Sequence, residues 1–200
     1  MDYANPTAIK GLTTDIDGVI HEALALVNLT NLYPINATDS PAAARNSSTI
    51  SDLQIIFYKA MFLTLRNCTS QYVKKRITLP QDTSLEEGWA RLPSDYLAQD
   101  PSTAIPLVIR TDPTYGRIVN ASDSEISYIF IPVYLRDLPY TILHYIQATF
   151  LALCTGRDDT FERKAPIIRE LQQDAKSLMH SEMHGESGRN HRAGNYNASY

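Results

Sequence analysis

The 200-residue chain is 44% hydrophobic and 20% charged, which suits one soluble globular domain with a sizeable core. Its 18 Lys and Arg against 22 Asp and Glu leave a formal charge of −4, which argues against general affinity for nucleic acid, since that rests on excess cation. Cys68 and Cys154 are too few for a disulfide framework or a thiolate zinc site, and the longest apolar stretches, residues 55–65 and 142–154, fall short of a membrane span.

In chain order, residues 1–12 read as a loose N-terminal arm without the basic and apolar regions of a secretory signal. The six Asn-x-Ser/Thr triplets, starting at Asn28, Asn36, Asn46, Asn67, Asn120 and Asn197, then carry no glycosylation meaning. Thr14 and Asp15 are candidate caps for a helix over about 14–29, in which Ile16, Val19, Ile20, Ala23, Leu24 and Val27 recur at helical spacing. Asn31–Asp39, with Pro34, is a loop. Ser40 and Pro41 suit the start of a second helix over about 40–67, apolar on nearly every side from Leu53 to Leu65.

The pattern then changes to period two. Strand candidates are Tyr72–Leu79, Leu107–Thr111, Arg117–Asn120 and Glu125–Ile131, forming a β unit of about four strands over about 72–136. Asp112-Pro113-Thr114-Tyr115-Gly116 is a turn in which Pro presets φ and Gly accepts a positive φ. Asp123 and Ser124 supply another turn. Residues 81–106, punctuated by Pro93, Pro101 and Pro106, read as loop.

Two helices follow, over about 139–155 and 158–183. The second places Phe161, Ala165, Ile168, Leu171, Ala175, Leu178 and Met179 on one face, and Pro166 predicts a kink or a true start near Ala165. Residues 184–200 hold no core-forming pattern and read as an extended C-terminal tail. The fold class is therefore α+β: mainly helical, about a four-helix bundle, with a small antiparallel β unit inserted. The organisation is an arm (1–12), a folded domain (13–183) and the tail (184–200).

Three stretches carry candidate chemistry. Asp15-Ile16-Asp17-Gly18-Val19 matches the signature of haloacid-dehalogenase-like, magnesium-dependent phosphatases, with Asp15 as nucleophile and Asp17 as acid/base. Gly156-Arg157-Asp158-Asp159 would pass as the later acidic motif. That nucleophile should follow a strongly apolar strand, however, and here it follows Lys10-Gly11-Leu12-Thr13-Thr14, so a helix start is the stronger reading. His180-Ser181-Glu182-Met183-His184 imitates a zincin helix, but Glu182 is not adjacent to the first His as that chemistry requires. Lys74-Lys75-Arg76 on a strand is a solvated edge that discourages strand addition, or a contact to DNA or an acidic neighbour.

The order of segments also resembles the head-to-tail adaptors of short-tailed bacteriophages, the tail tubular protein A type. The resemblance lies in Asp17–Leu24 with the following Pro34-Ile35, in Pro41-Ala42-Ala43-Ala44-Arg45, in Arg91-Leu92-Pro93-Ser94-Asp95-Tyr96-Leu97, and in the run from Tyr128 to Met179. It implies a virion protein made in the host cytoplasm. Identical subunits, twelve in the family, would form a ring bound to the portal protein on one side and the tail nozzle protein on the other. DNA would pass through the lumen without sequence-specific binding. It implies no catalytic, cofactor or metal residues and no membrane. The tail would dock on the portal through Arg189, His191, Arg192, Tyr196 and Tyr200.

Overall fold

A computed structural model of the chain describes residues 14–33, 52–68, 70–121 and 123–193, with side chains as far as Glu182. The expected arm (1–12) and the first half of the expected second helix lie outside the described residues, as do Tyr196 and Tyr200. The protein is α+β. It divides into two compact units, one spanning Leu65–Pro132 and the other built from the chain on either side of it.

In the helical unit, α1 spans Ile16–Ala25 and buries Ile16, Val19, Ile20, Ala23 and Leu24, the stripe its spacing predicts. It stops four residues before the expected end because Asn28 turns left-handed (φ 57°). The Leu29 N–H then returns to the Leu24 carbonyl and the Asn28 N–H to the Ala25 carbonyl, which satisfies the helix's last acceptors. Helix α2, Asp52–Arg66, begins in this unit and buries Ile56, Phe57, Tyr58, Ala60, Met61 and Phe62. Helix α3 spans Tyr140–Cys154, bounded by Pro139 and by Gly156 in the following turn. The Phe57 and Phe150 rings pack tilted at 55° with centroids 5.3 Å apart and bring α2 against α3.

A single turn, α4 (Asp159–Glu162), and the long α5 (Ala165–Ala193) complete this unit. Pro166 does mark a true start, since a proline is tolerated in the first turn, where no intrahelical donor is lost. Helix α5 packs along α3 through Ala165, Ile168, Ala175 and Met179. Leu178, expected on that face, is exposed. It sits one residue, hence about 100°, from Met179, outside the narrow stripe that α3 covers. The expected extended tail is also corrected: α5 continues to Ala193, so residues 184–193, including Arg189, His191 and Arg192, are helical. Extending an established helix fixes one residue per new hydrogen bond, so even a polar stretch can follow a nucleus set by packing.

Among the described residues the β unit has six strands rather than four. They are β1 (Lys74–Thr78), β2 (Ala90–Arg91), β3 (Tyr96–Gln99), β4 (Ile109–Asp112), β5 (Gly116–Val119) and β6 (Glu125–Phe130). They form two three-stranded antiparallel sheets, ordered β1-β6-β3 and β2-β5-β4. Strands β2 and β3 fall inside the stretch expected to be loop. The shared core takes Tyr96, Ile126 and Tyr128 from the first sheet, Ala90 and Val119 from the second, and Leu79 beyond β1. Tyr96 and Tyr128 stack at 5.5 Å. The β4–β5 hairpin turns as expected, with Gly116 at φ 76° and the Asp112 carboxylate accepting the N–H groups of Thr114 and Tyr115. The unit ends at Pro132. Residues 133–136, expected within it, belong to the helical unit, where the Thr14 N–H donates to the Val133 carbonyl at 2.8 Å.

Candidate functional site

The Asp-Ile-Asp-Gly stretch lies at the start of α1, and each polar or small residue in it has an identifiable structural task. Asp15 precedes the helix without capping it. Its carboxylate instead accepts the N–H groups of Leu135 (2.8 Å) and Arg136 (3.1 Å), the first donors of a 3-10 turn over Leu135–Asp137. It therefore caps an element 120 residues away in sequence. One oxygen of Asp17 accepts from the Tyr33 hydroxyl and from the Gln54 amide, both at 2.6 Å, and so ties α1 to the chain after it and to α2. Gly18 leaves room for Arg136. A Cβ there would stand 3.0 Å from the guanidinium, which is held over the helix by Glu22 at 2.6 Å.

Whether residues 8–13 form the apolar strand that a phosphatase nucleophile needs lies outside the described residues. The second half of that signature is also engaged. Asp158 caps α4 by accepting the Thr160 N–H at 2.6 Å, and the hydroxyl and N–H of Thr160 hold its carboxyl below the usual carboxylate range. Beside it is a concavity of about 410 Å³ lined by Asp52, Leu53, Ile56, Cys154, Arg157, Asp158 and Phe161. The Cys154 thiol is not a nucleophile there, because burial pushes it up to about 12, with Arg157 pulling only weakly the other way.

In the histidine stretch, Glu182 accepts a hydrogen bond from the Thr141 hydroxyl at the start of α3, while His180 lies on the exposed side of α5. The His184 side chain is outside the described residues. Among the described residues, no group of three or more His, Cys, Asp or Glu side chains is placed to hold a metal ion, and no helix is long and apolar enough to cross a membrane.

The basic run Lys74-Lys75-Arg76 is an edge, as its solvated reading predicts, and every cation on it is paired. Lys74 meets Asp100 at 2.9 Å, Lys75 meets Asp95 at 2.5 Å and Arg76 meets Glu125 at 3.3 Å. Asp100 is buried, which by itself would raise its carboxyl. Bonds from Lys74, Ser102 and Ser127 outweigh burial and hold it far below the usual range. Charge neutralised this way offers little to a polyanion.

One constellation escaped sequence reading. Residues 82–89 strap the outer face of the β2-β5-β4 sheet: Asp82 holds Arg91 and Glu86 holds Arg110, each at 2.6 Å. Arg110 lies over the Trp89 ring at 4.0 Å, and Arg91 over Tyr115 at 4.7 Å. Arg91, Ile118 and Arg110 stand side by side across the three strands, so the arginines shield Ile118, which is wholly buried. The available signal was the spacing of acids at 82 and 86 against arginines at 91 and 110, legible only once β2 is known to be a strand.

Large apolar side chains nevertheless reach solvent. Val133, Tyr134 and Tyr140 do so at the entry to α3, and Ile167 and Leu178 along α5. The first three are close together in sequence, and the Tyr140 ring stacks on His144 at 5.4 Å. The side chains of Arg189, His191 and Arg192 lie outside the described residues, so the geometry brings together no tail site. No model of a known protein family matches the chain. No curated protein matches it either.

Proposed function

We propose that the chain is a structural virion protein: a ring-forming adaptor that joins a phage portal to the tail nozzle and lines the channel through which DNA leaves. In this reading the helical unit is a bundle of about four helices, the β unit is an insertion between the second and third, and the C-terminal segment docks on the portal. The observation that carries it is the terminal helix. At 29 residues α5 measures about 43 Å, whereas α3, along which it packs, has 15 residues and measures about 22 Å. Glu182 already meets Thr141 in the first turn of α3, so α5 runs eleven further residues past the start of its partner. Helical turns that overrun the element they pack along are stabilised when another chain covers them.

The exposed Val133, Tyr134 and Tyr140 support the same reading, as apolar side chains a neighbouring subunit would bury. A net charge of −4 suits a conduit that must release DNA. The alternative, a magnesium-dependent phosphatase using Asp15 and Asp17, draws no comparable support, because both carboxylates are occupied in holding α1 to its neighbours.

The test is particle mass, measured for the purified chain alone and mixed with portal protein. Closed rings of about a dozen subunits are expected. A monomer under both conditions would sink the reading. A chain ending at Met183 is expected to fold and to lose portal binding.

A further inference from the structure

The four sheet edges of the β unit are not treated alike. Edge β1 carries Lys74, Lys75 and Arg76, each tied to a carboxylate. Edge β3 is broken by a bulge between Tyr96 and Ala98, and edge β2 is only two residues long. Each of these is a known way to blunt an edge against pairing. Strand β4 has no bulge and a single cation, Arg110 on Glu86, and beside it stand two of the most exposed aliphatic side chains of the described residues, Ile105 (76%) and Val108 (62%).

The register shows which groups the edge presents. The Asn120 N–H donates to the Val108 carbonyl, so Val108–Asn120, Arg110–Ile118 and Asp112–Gly116 are the pairs bonded within the hairpin. Ile109 and Thr111 therefore direct their N–H and C=O groups outward, away from β5. Among the described residues no partner for either N–H is present.

We propose that the open edge of β4 pairs with a second copy of this chain, the two β4 strands running antiparallel about a two-fold axis at Thr111. The edge is its own complement. With Thr111 opposite the partner copy's Thr111, the two exchange a reciprocal pair of main-chain bonds, and each Arg110 faces the opposite copy's Asp112. Both charges have capacity to spare. The turn bonds to Asp112 use only Oδ1, leaving Oδ2, and the Arg110 guanidinium has donors beyond the one given to Glu86. Directly opposed charges of this kind stabilise a strand pair. The pairing also stops itself, because the six-stranded sheet it creates ends at the two-residue β2 on both sides. It is independent of the connector reading, since a two-fold contact is isologous and a ring requires a heterologous one.

Amide exchange on the intact wild-type chain tests this without any substitution. On concentrating the protein, exchange at Thr111 and Ile109 is expected to slow about tenfold or more, while the Arg110 amide, bonded inside the hairpin, stays protected throughout. Thr111→Pro removes one outward donor and no internal one, so it should fold and abolish the concentration dependence. A synthetic peptide of residues 105–114 should compete and restore fast exchange. A Thr111 amide that exchanges equally fast at every concentration overturns the proposal, and so does unchanged pairing in Thr111→Pro.

Discussion

The Asp15 carboxylate accepts the Leu135 N–H at 2.8 Å and so joins the first helix to the entry of the third across 120 residues of chain. The bond is charge-assisted, and the same carboxylate takes the adjacent Arg136 N–H. Asp15→Asn keeps one acceptor but turns an amide NH₂ toward a donor, leaving one N–H of the 3-10 turn unpaired. A loss of about 1–3 kcal/mol in denaturant unfolding is expected. Wild-type stability in this variant would show that the two bonds contribute nothing.

Gly18 and Arg136 set two small effects against each other. Alanine within a helix is favoured over glycine by about 1 kcal/mol. Its Cβ would crowd the Arg136 guanidinium at 3.0 Å and strain the exposed Arg136–Glu22 pair, which is worth about 0–1 kcal/mol. The guanidinium is the far end of a flexible side chain and moves cheaply, so Gly18→Ala alone should be neutral to mildly stabilising. In an Arg136→Ala background the full gain of about 1 kcal/mol should appear. Equal effects in both backgrounds, read from urea midpoints, would mean the crowding is immaterial.

What was legible in the sequence follows from how local the cause is. Helix α3 was readable to within a residue at each end because Pro139 and Gly156 punctuate an apolar run. The β4–β5 hairpin was readable because its Asp-Pro-Thr-Tyr-Gly turn makes its own hydrogen bonds. Strands β2 and β3 were missed because neither is longer than four residues, and both exist through pairing with β5 and β6 further along the chain. The Asp-Ile-Asp-Gly stretch was legible as a helix start, but its partners, Leu135, Arg136, Tyr33 and Gln54, come from separate segments and leave no local trace. The helix beyond Met183 was unreadable for a different reason. Its composition is polar, and its continuation depends on the turns before it, which α3 holds in place.

Phe57 and Phe150 are both fully buried and in ring contact at the junction of α2 and α3. Truncating either to Ala opens a cavity that rigid helices on two sides cannot fill, at a cost of about 3–5 kcal/mol. Against a typical total of about 5–15 kcal/mol, that leaves the helical unit marginal. The double variant should cost less than the sum of the singles, since the second truncation enlarges a cavity already present. Thermal unfolding of the three variants checks both statements, and strict additivity would show that the rings act independently.

Cys68 and Cys154 are both buried, and the Cys154 thiol is pushed up to about 12, so almost no thiolate exists at neutral pH. A colourless-to-coloured thiol reagent should therefore react with neither cysteine in the native protein and with both in denaturant. Leu53→Ala, which removes a wall of the concavity beside Cys154, should speed its labelling and leave Cys68 unaffected. Rapid labelling of Cys154 in the wild type would contradict the burial.

Acid should loosen the β unit through Asp100. Its carboxyl is depressed in the folded state by Lys74, Ser102 and Ser127, although burial opposes the shift. A depressed carboxyl contributes stability that is fully present above its unfolded value of about 3.9 and drains away as pH falls toward the folded value. The wild type should therefore hold its stability from neutral pH down to about 4 and lose it below. Asp100→Asn keeps the shape, but it leaves the Lys74 ammonium in a half-buried place without its counter-charge. That variant should be weaker by about 2 kcal/mol or more at neutral pH and should show a shallower loss on acidification. The measurement is urea unfolding across the acid range, followed by Trp89 fluorescence, which reports on this unit. Parallel pH profiles for the two proteins would assign the acid sensitivity to other carboxylates.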